Sequence, residues 1–407
     1  LEKIENHKLV IKLGNWFEPS YGNALYLCLT SWGNIRGVRN LGAKDFFYFS
    51  EEKIDEWEKK IPGFRNAIEP CLVPAITRSQ YITTFTFTIN DWAKIKESGK
   101  DAYIFICNKP KDSLPQEAQE YIKWGETECR TKIRGSRGGG KPCSQAQACE
   151  ARAKNSSIFK GWYDLGGYVP TPIMAIYQPR YHPQFFLVKF PLVTYHAVIA
   201  LIPKVKVSFM DYDPEKYINQ SPNIVRDIVL DEAEIKALLA YLNSTFIWLW
   251  LEQNARYIPK GPLGLEASVL REMPLLNVKM LERKYVEELA KLFEELEDNA
   301  RRLVGSVEGV EAGEEEGEDE ETGGKLEMFR ELKPYFMAID SKIAEVLNIQ
   351  TDVEQLWNYA WEMMERRIKG AKGPTRPGAE VIDVDVSGRK RRRRRTSGYT
   401  ATLDRWF

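Results

Sequence analysis

The stretch from Pro172 to Leu251 constrains the fold of this chain more than any other part of it. Its most apolar window, "FFLVKFPLVTYHAVIALI" from Phe185, is broken by Lys189, Pro191 and His196. Short apolar runs interrupted in that way, with "PIMAIY" (172–177) before them, read as buried strands and not as a membrane span. A helix is then predicted from Asp231, whose carboxylate can cap the first turn with Glu234 at the third helical position. Ile235, Leu238, Leu239, Leu242, Phe246 and Leu249 keep one face of that helix apolar, so it has to be buried against another element.

N-terminal to this stretch, strand-like runs at "DFFYF" (45–49) and "YITTFTFTI" (81–89) alternate with a helical piece at "SEEKIDEWEKKI" (50–61). In the second run Ile82, Phe85 and Phe87 are interleaved with Thr, as on a pleated surface. C-terminal to the stretch, Leu281, Tyr285, Leu289, Leu292 and Leu296 predict an amphipathic helix over 278–303. Helical pattern resumes at 326–369, with Thr351 and Glu354 at capping-box spacing and Gly370 as the stop. The expected fold class is α+β: a sheet-rich half with helical insertions, then a helical region, then a disordered basic tail.

Basic and acidic residues number 58 each, and the formal net charge of zero hides a segregation. Residues 304–325 hold nine acids and one base, which reads as an unfolded acidic insertion between helices. Residues 388–407 hold eight bases and one acid, at the end of a Pro- and Gly-rich linker. Residues 130–160 hold eight bases, one acid and three consecutive glycines, a composition that predicts a flexible surface loop able to meet a polyanion. Six cysteines without a secretory signal predict reduced thiols in a cytoplasmic chain. Cys129, Cys143 and Cys149 have neither the CxxC pair nor the neighbouring histidine of a zinc set, so no metal is expected. The opening on Leu1 rather than Met reads as a fragment.

Five phrases follow one another in order: "IRGVRNLGAKDFFYF" (35–49), "YIKWGE" (121–126), "GWYDL" (161–165), "LLAYLNSTFIWLWLEQNAR" (238–256) and "KGPLGLEASVLREMPLL" (260–276). Together they resemble the target-recognition region of gamma-class N6-adenine DNA methyltransferases, including fused type II-G restriction-modification enzymes. The resemblance covers roughly residues 30–300; "RNLG" stands where a Thr-Gly is common, and the basic loop is longer than usual. It implies that the chain grips double-stranded DNA. Arg36, Arg39, Arg78 and Arg256, with Arg134, Arg137 and Lys141 of the basic stretch, are candidate contacts to phosphates or guanine edges. Gly37, Gly42, Gly261 and Gly264 permit tight turns or close approach to a phosphate backbone, with ordinary turn roles as the alternative. Trp124 (beside Gly125), Trp162 and Tyr163 are candidates to stack on an extruded base, with a place in the core as the alternative.

The resemblance also implies what this chain lacks. That family holds the flipped adenine with an Asn-Pro-Pro-aromatic tetrapeptide and binds S-adenosylmethionine on a Gly-rich loop after a strand. No Pro-Pro dipeptide occurs here, and "RGGGK" follows no apolar strand. No catalytic residue and no cofactor is therefore expected in the chain; S-adenosylmethionine belongs to a catalytic domain expected N-terminal to Leu1.

Behind the basic run the chain closes on "GYTATLDRWF" (398–407). Leu403, Trp406 and Phe407 share one face of a single helical turn, an apolar plug with nothing local to cover it. The ending resembles the PIP box, the peptide that docks on the sliding clamp PCNA of archaea and eukaryotes, with Thr400 in the place of its Gln. A flexible linker of this length spans on the order of 30 Å, enough to tether a DNA-bound body to a ring on the same duplex. The expected organisation is a DNA-binding region at 1–277 and a helical region at 278–370. A linker at 371–397, with its basic run at 389–395, and a clamp-binding peptide at 398–407 follow, in an archaeal, nucleoid-associated protein. The competing reading is a non-catalytic, clamp-associated DNA-binding or regulatory factor. A nuclease reading would need metal at "DYDPE" (211–215), which looks like turn residues.

Overall fold

A computed structural model describes residues 1–21, 41–131, 140–194, 198–210, 212, 214, 224–258, 261–307 and 320–370. Nine strands build its two larger sheets: β1 (Phe17–Tyr21), β2 (Tyr48–Phe49), β3 (Leu72–Ile76), β4 (Thr86–Phe87), β5 (Tyr103–Phe105), β6 (Ile173–Ile176), β7 (Phe185–Val188), β8 (Val193–Thr194) and β9 (Val198–Pro203). The first sheet runs β1-β9-β6-β7-β4 and is antiparallel except for the β7–β4 pair. The second runs β8-β3-β5-β2, with β8 and β3 parallel.

The helices that matter below are α1 (Glu51–Lys60), α2 (Gln116–Thr127), α3 (Gln147–Ala153), α4 (Glu232–Leu242), α5 (Thr245–Asn254), α6 (Arg283–Val307), α7 (Glu320–Glu331), α8 (Lys333–Val346) and α9 (Val353–Ile368). The fold is α+β, as expected, with several sheets and a C-terminal helical region.

The first sheet is buried on both faces, which is why its strands read as near-continuous apolar runs. Ile173, Ala175, Phe185, Leu187, Ile199 and Leu201 face the helical side and share one core with α4 to α9. Met174, Ile176, Phe186, Val188 and Val198 point the other way, against Ile82, Phe87 and Ile95. The N-terminus joins the helical side too: Val10–Lys12 pairs antiparallel with Pro274–Leu276. An apolar core thus runs across residue 277 without a break. A separate core, rich in aromatics, lies on the second sheet under α1, α2 and α3.

Several local expectations hold. Glu234 N–H donates to Asp231 Oδ1 at 2.9 Å and Asp231 N–H to Glu234 Oε2 at 2.8 Å, closing the capping box. Gly370 has φ +72° at the end of α9. Other expectations are corrected. The single helix after Asp231 is two, broken at Asn243–Ser244. "DFFYF" is strand only at Tyr48–Phe49, since Lys44–Phe47 is helical. "YITTFTFTI" keeps only Thr86–Phe87 as strand. Asp352 caps α9 in place of Thr351, accepting from Glu354 N and Gln355 N at 3.0 Å each. Helix α7 occupies part of the supposed acidic insertion.

The largest correction concerns 130–160. Residues 141–153 are ordered secondary structure, and Cys143, Ala148, Cys149 and Arg152 are buried. Cys129 and Cys143 form a disulfide, against the expectation of reduced thiols. Composition missed this because the buried residues of α3 recur at helical spacing within a basic background. Among the described residues no helix is long and apolar enough to cross a membrane.

Candidate nucleic-acid interface

Three of the five phrases meet in one aromatic knot. Gly125 lies within α2, where a Cβ would stand 2.6 Å from Trp162 Cη2 and 2.7 Å from Phe46 Cδ2. Only glycine lets the "GWYDL" and "FFYF" rings close over this helix. Phe46 and Trp162 have centroids 4.4 Å apart, and Phe46 stacks on Tyr121 at 4.8 Å. Their polar ends are satisfied, as buried aromatics require. Trp162 Nε1 donates to Glu126 Oε1 at 3.1 Å, Tyr163 OH to the Lys109 carbonyl at 2.8 Å, and Tyr121 OH to the Phe46 carbonyl at 2.5 Å. Burial pushes the Tyr163 phenol far above its ordinary pKa.

Arg152 locks the knot from inside. Its guanidinium is fully buried over the Phe47 ring at 5.3 Å. Nε donates to the Trp162 carbonyl and Nη2 to the Leu41 carbonyl, both at 2.8 Å, and Nη2 lies 3.2 Å from Cys149 Sγ. Beside it Gly42, with φ +85°, has Cys149 Sγ 2.9 Å from where a Cβ would be. Burial pushes the Cys149 thiol up to about 11.

This knot takes the C-terminal end of one basic segment and both ends of another. Residues 22–40, which include Arg36, Gly37 and Arg39, lead from Tyr21, paired with Ile199, to Leu41 and Gly42 at α3. Residues 132–139, which include Arg134 and Arg137, lie between the paired strands Arg130–Thr131 and Lys141–Pro142, closed by the Cys129–Cys143 bond. Cys143 then opens the short turn that leads into α3. Leu41 and Gly42, at the end of the first segment, thus meet α3, the helix that follows the disulfide at the second.

The remaining candidates divide. Arg78 and Lys141 are exposed. Arg256 is also exposed and paired with Glu266 at 2.8 Å, an exposed ion pair that a phosphate can displace at little cost. Trp124 is partly buried, stacked on Tyr121 at 5.4 Å and edge-on to Trp57 at 5.2 Å. Trp162 and Tyr163 are core residues with both rings packed, so their place is the alternative named for them above. Gly261, with φ +106°, gives its carbonyl to Arg367 Nη1, and Gly264 lies in a two-residue strand paired with Arg256. Arg36, Gly37, Arg39, Arg134 and Arg137, most of "DYDPE", and the tail residues Thr400, Leu403, Trp406 and Phe407 lie outside the described residues.

Sequence reasoning missed two arginines. Arg152 looked like one more surface base, and only its helical spacing from Ala148 and Cys149 could have marked it as buried. Arg367 forms a buried bidentate pair with Glu252, at 2.8 and 2.9 Å, and also reaches the Arg180 carbonyl at 3.1 Å. Nothing in the sequence connects residues so far apart. Among the described residues no group of three or more His, Cys, Asp or Glu could hold a metal ion. The arrangement can position loops.

Residues 31–133 match the family model for the C-terminal domain of Type II methyltransferase M.Eco57I. The chain is 23% identical over 264 residues to Type II methyltransferase M.AccI of Acinetobacter calcoaceticus, over 64% of this chain and 38% of that protein. The type IIG restriction endonuclease BpuSI aligns over 83% of this chain and 32% of its own, with a TM-score of 0.38 and 13% identity. The chain thus spans well under half the length of these relatives. The segment that carries "IRGVRNLGAKDFFYF" and "YIKWGE", and with them much of the aromatic knot, is similar to the C-terminal domain of a type II methyltransferase.

Proposed function

We propose that this chain is the DNA-binding target-recognition portion of a site-specific adenine-N6 DNA methyltransferase, docked on the sliding clamp PCNA through its C-terminal peptide. The observation that carries the reading is the match over residues 31–133. That segment holds Arg36 and Arg39 and runs into the second basic segment, and Gly42, after the first, packs on the helix that follows the second. Rigid packing beneath and basic residues on the connecting segments suit a scaffold that presents loops to a duplex. In this function the segments grip phosphates and read base edges while a partner catalytic domain, holding S-adenosylmethionine, takes the extruded adenine.

The test is selection of duplexes with a randomised centre on the full chain. Enrichment of one short sequence, with affinity falling steeply as salt rises, is the expected result. Binding that is salt-sensitive but blind to sequence would favour the non-catalytic factor. For the clamp peptide, removal of 398–407, or Trp406→Ala with Phe407→Ala, is expected to abolish capture by immobilised archaeal PCNA and leave duplex affinity unchanged. Undiminished capture would sink that part of the proposal.

A further inference from the structure

Beneath the knot, the same core that holds the Cys129–Cys143 disulfide holds a second pair of sulfurs. Cys71 ends the turn Glu69–Cys71 before β3, and Cys107 follows β5. The two strands are antiparallel neighbours, and Ile106 N–H donates to the Cys71 carbonyl at 2.7 Å. Both cysteines are free thiols and buried, 5% and 2% exposed. Cys71 is thus bonded through its backbone to the residue before Cys107, and the two thiols lie within reach of each other beside the Lys109 backbone. Interaction with Cys71 and with the Lys109 backbone holds the Cys107 thiol down to about 7, whereas interaction with Cys107 and burial push Cys71 well up. The pair lies near Tyr163, whose hydroxyl bonds the Lys109 carbonyl.

We propose that Cys71 and Cys107 form a redox-active dithiol that a low-molecular-weight disulfide such as glutathione disulfide converts to a second disulfide. One sulfur acts as nucleophile and its neighbour resolves. The Cys107 thiolate attacks one sulfur of glutathione disulfide, the S–S bond breaks, and the first glutathione leaves as a thiolate that takes up a proton. Cys71 then loses its proton and attacks the Cys107 sulfur, releasing the second glutathione. Two protein thiols are oxidised by two electrons, one small disulfide is reduced to two thiols, and both protons end on glutathione. The β3–β5 ladder ends next to both residues, and local opening there would admit the small disulfide. The product ties the start of β3 to the end of β5 and braces the scaffold under both basic segments. The inference does not depend on what those segments bind.

The test uses the full chain equilibrated in glutathione buffers of increasing oxidised fraction, then denatured and alkylated with N-ethylmaleimide for peptide mapping. Cys71 and Cys107 are expected to lose alkylation together. A linked peptide pair two hydrogens lighter should appear, Cys149 should stay alkylated, and the melting temperature should rise by several degrees. Cys71→Ala should stop the reaction at a glutathione adduct on Cys107. Alkylation of both cysteines at every ratio overturns the proposal, as does a Cys107–Cys149 link or a stable glutathione adduct in the wild type. The mapping on wild-type protein stands even if the variant fails to fold.

Discussion

A methyl group at residue 125 would stand inside the rings of Trp162 and Phe46. Gly125→Ala is expected to destabilise the protein by roughly 1–3 kcal/mol, the usual cost of overpacking a core, as read by urea denaturation. No such contact limits Gly305, where a Cβ meets nothing within 4 Å, and Gly305→Ala should leave stability unchanged or slightly raised. A second residue-scale expectation concerns Asp340, buried in α8, whose Oδ1 accepts from Thr245 N at 2.9 Å. Burial pushes its carboxyl from 3.8 up to about 7. The folded state therefore binds this proton more tightly than the unfolded state, so the stability it contributes is full below 3.8 and is lost as pH rises through about 7. His182, held down to about 3 by burial, opposes this on the acid side, so the quantity to read is the difference between wild type and Asp340→Asn. That difference should move against the wild type between pH 5 and pH 8 in urea titrations. A constant difference would mean that Asp340 stays charged. At this scale the sequence singled out the glycines and aromatics of the phrases. It left open whether they served DNA or packing, because both uses select the same residue types.

Among elements, the break between α4 and α5 is the most informative. Asn243 accepts from Phe185 N at 3.0 Å and donates to the Phe185 carbonyl at 2.9 Å, serving the strand as a neighbouring strand would. Ser244 then caps α5, accepting from Ile247 N. These side-chain bonds compete with the helical ladder and end it. Apolar periodicity could not report the break, because both helices are buried nearly all round. Asn243→Ala is expected to cost about 2–3 kcal/mol, since it strands two buried backbone groups, and amide exchange at Phe185 should rise with it. Helix α3 and the start of α7, before residue 326, were hidden for a different reason. Charge counts averaged over long windows outweigh a short helical pattern, and a segment's net charge says nothing of which residues it buries.

For the whole molecule, the chain's order is not the order of its packing. Residues 10–12 pair with 274–276, and Glu297 on α6 accepts from Phe85 N at 2.6 Å, so distant segments close one core. The Arg367–Glu252 pair seals it where α9 ends. Arg367→Met should lower stability by roughly 3–5 kcal/mol, because it leaves Glu252 buried without its partner charge. Replacing both with apolar residues of like size should recover much of the loss, and recovery of none would mean that the carbonyls of Arg180 and Gly261 need the guanidinium more than Glu252 does. By itself, the sequence determined the fold class, the strands β6, β7 and β9 of the first sheet, the capping of α4 and the order of phrases that point to DNA recognition. All of these rest on local periodicity or on short fixed spacings. Only the tertiary structure decided that Arg152 and Arg367 are buried locks, that Cys129 and Cys143 are bonded, and that Leu41 and Gly42 meet the helix that follows that bond. Those depend on contacts between residues distant along the chain, and no local pattern encodes a distance in space.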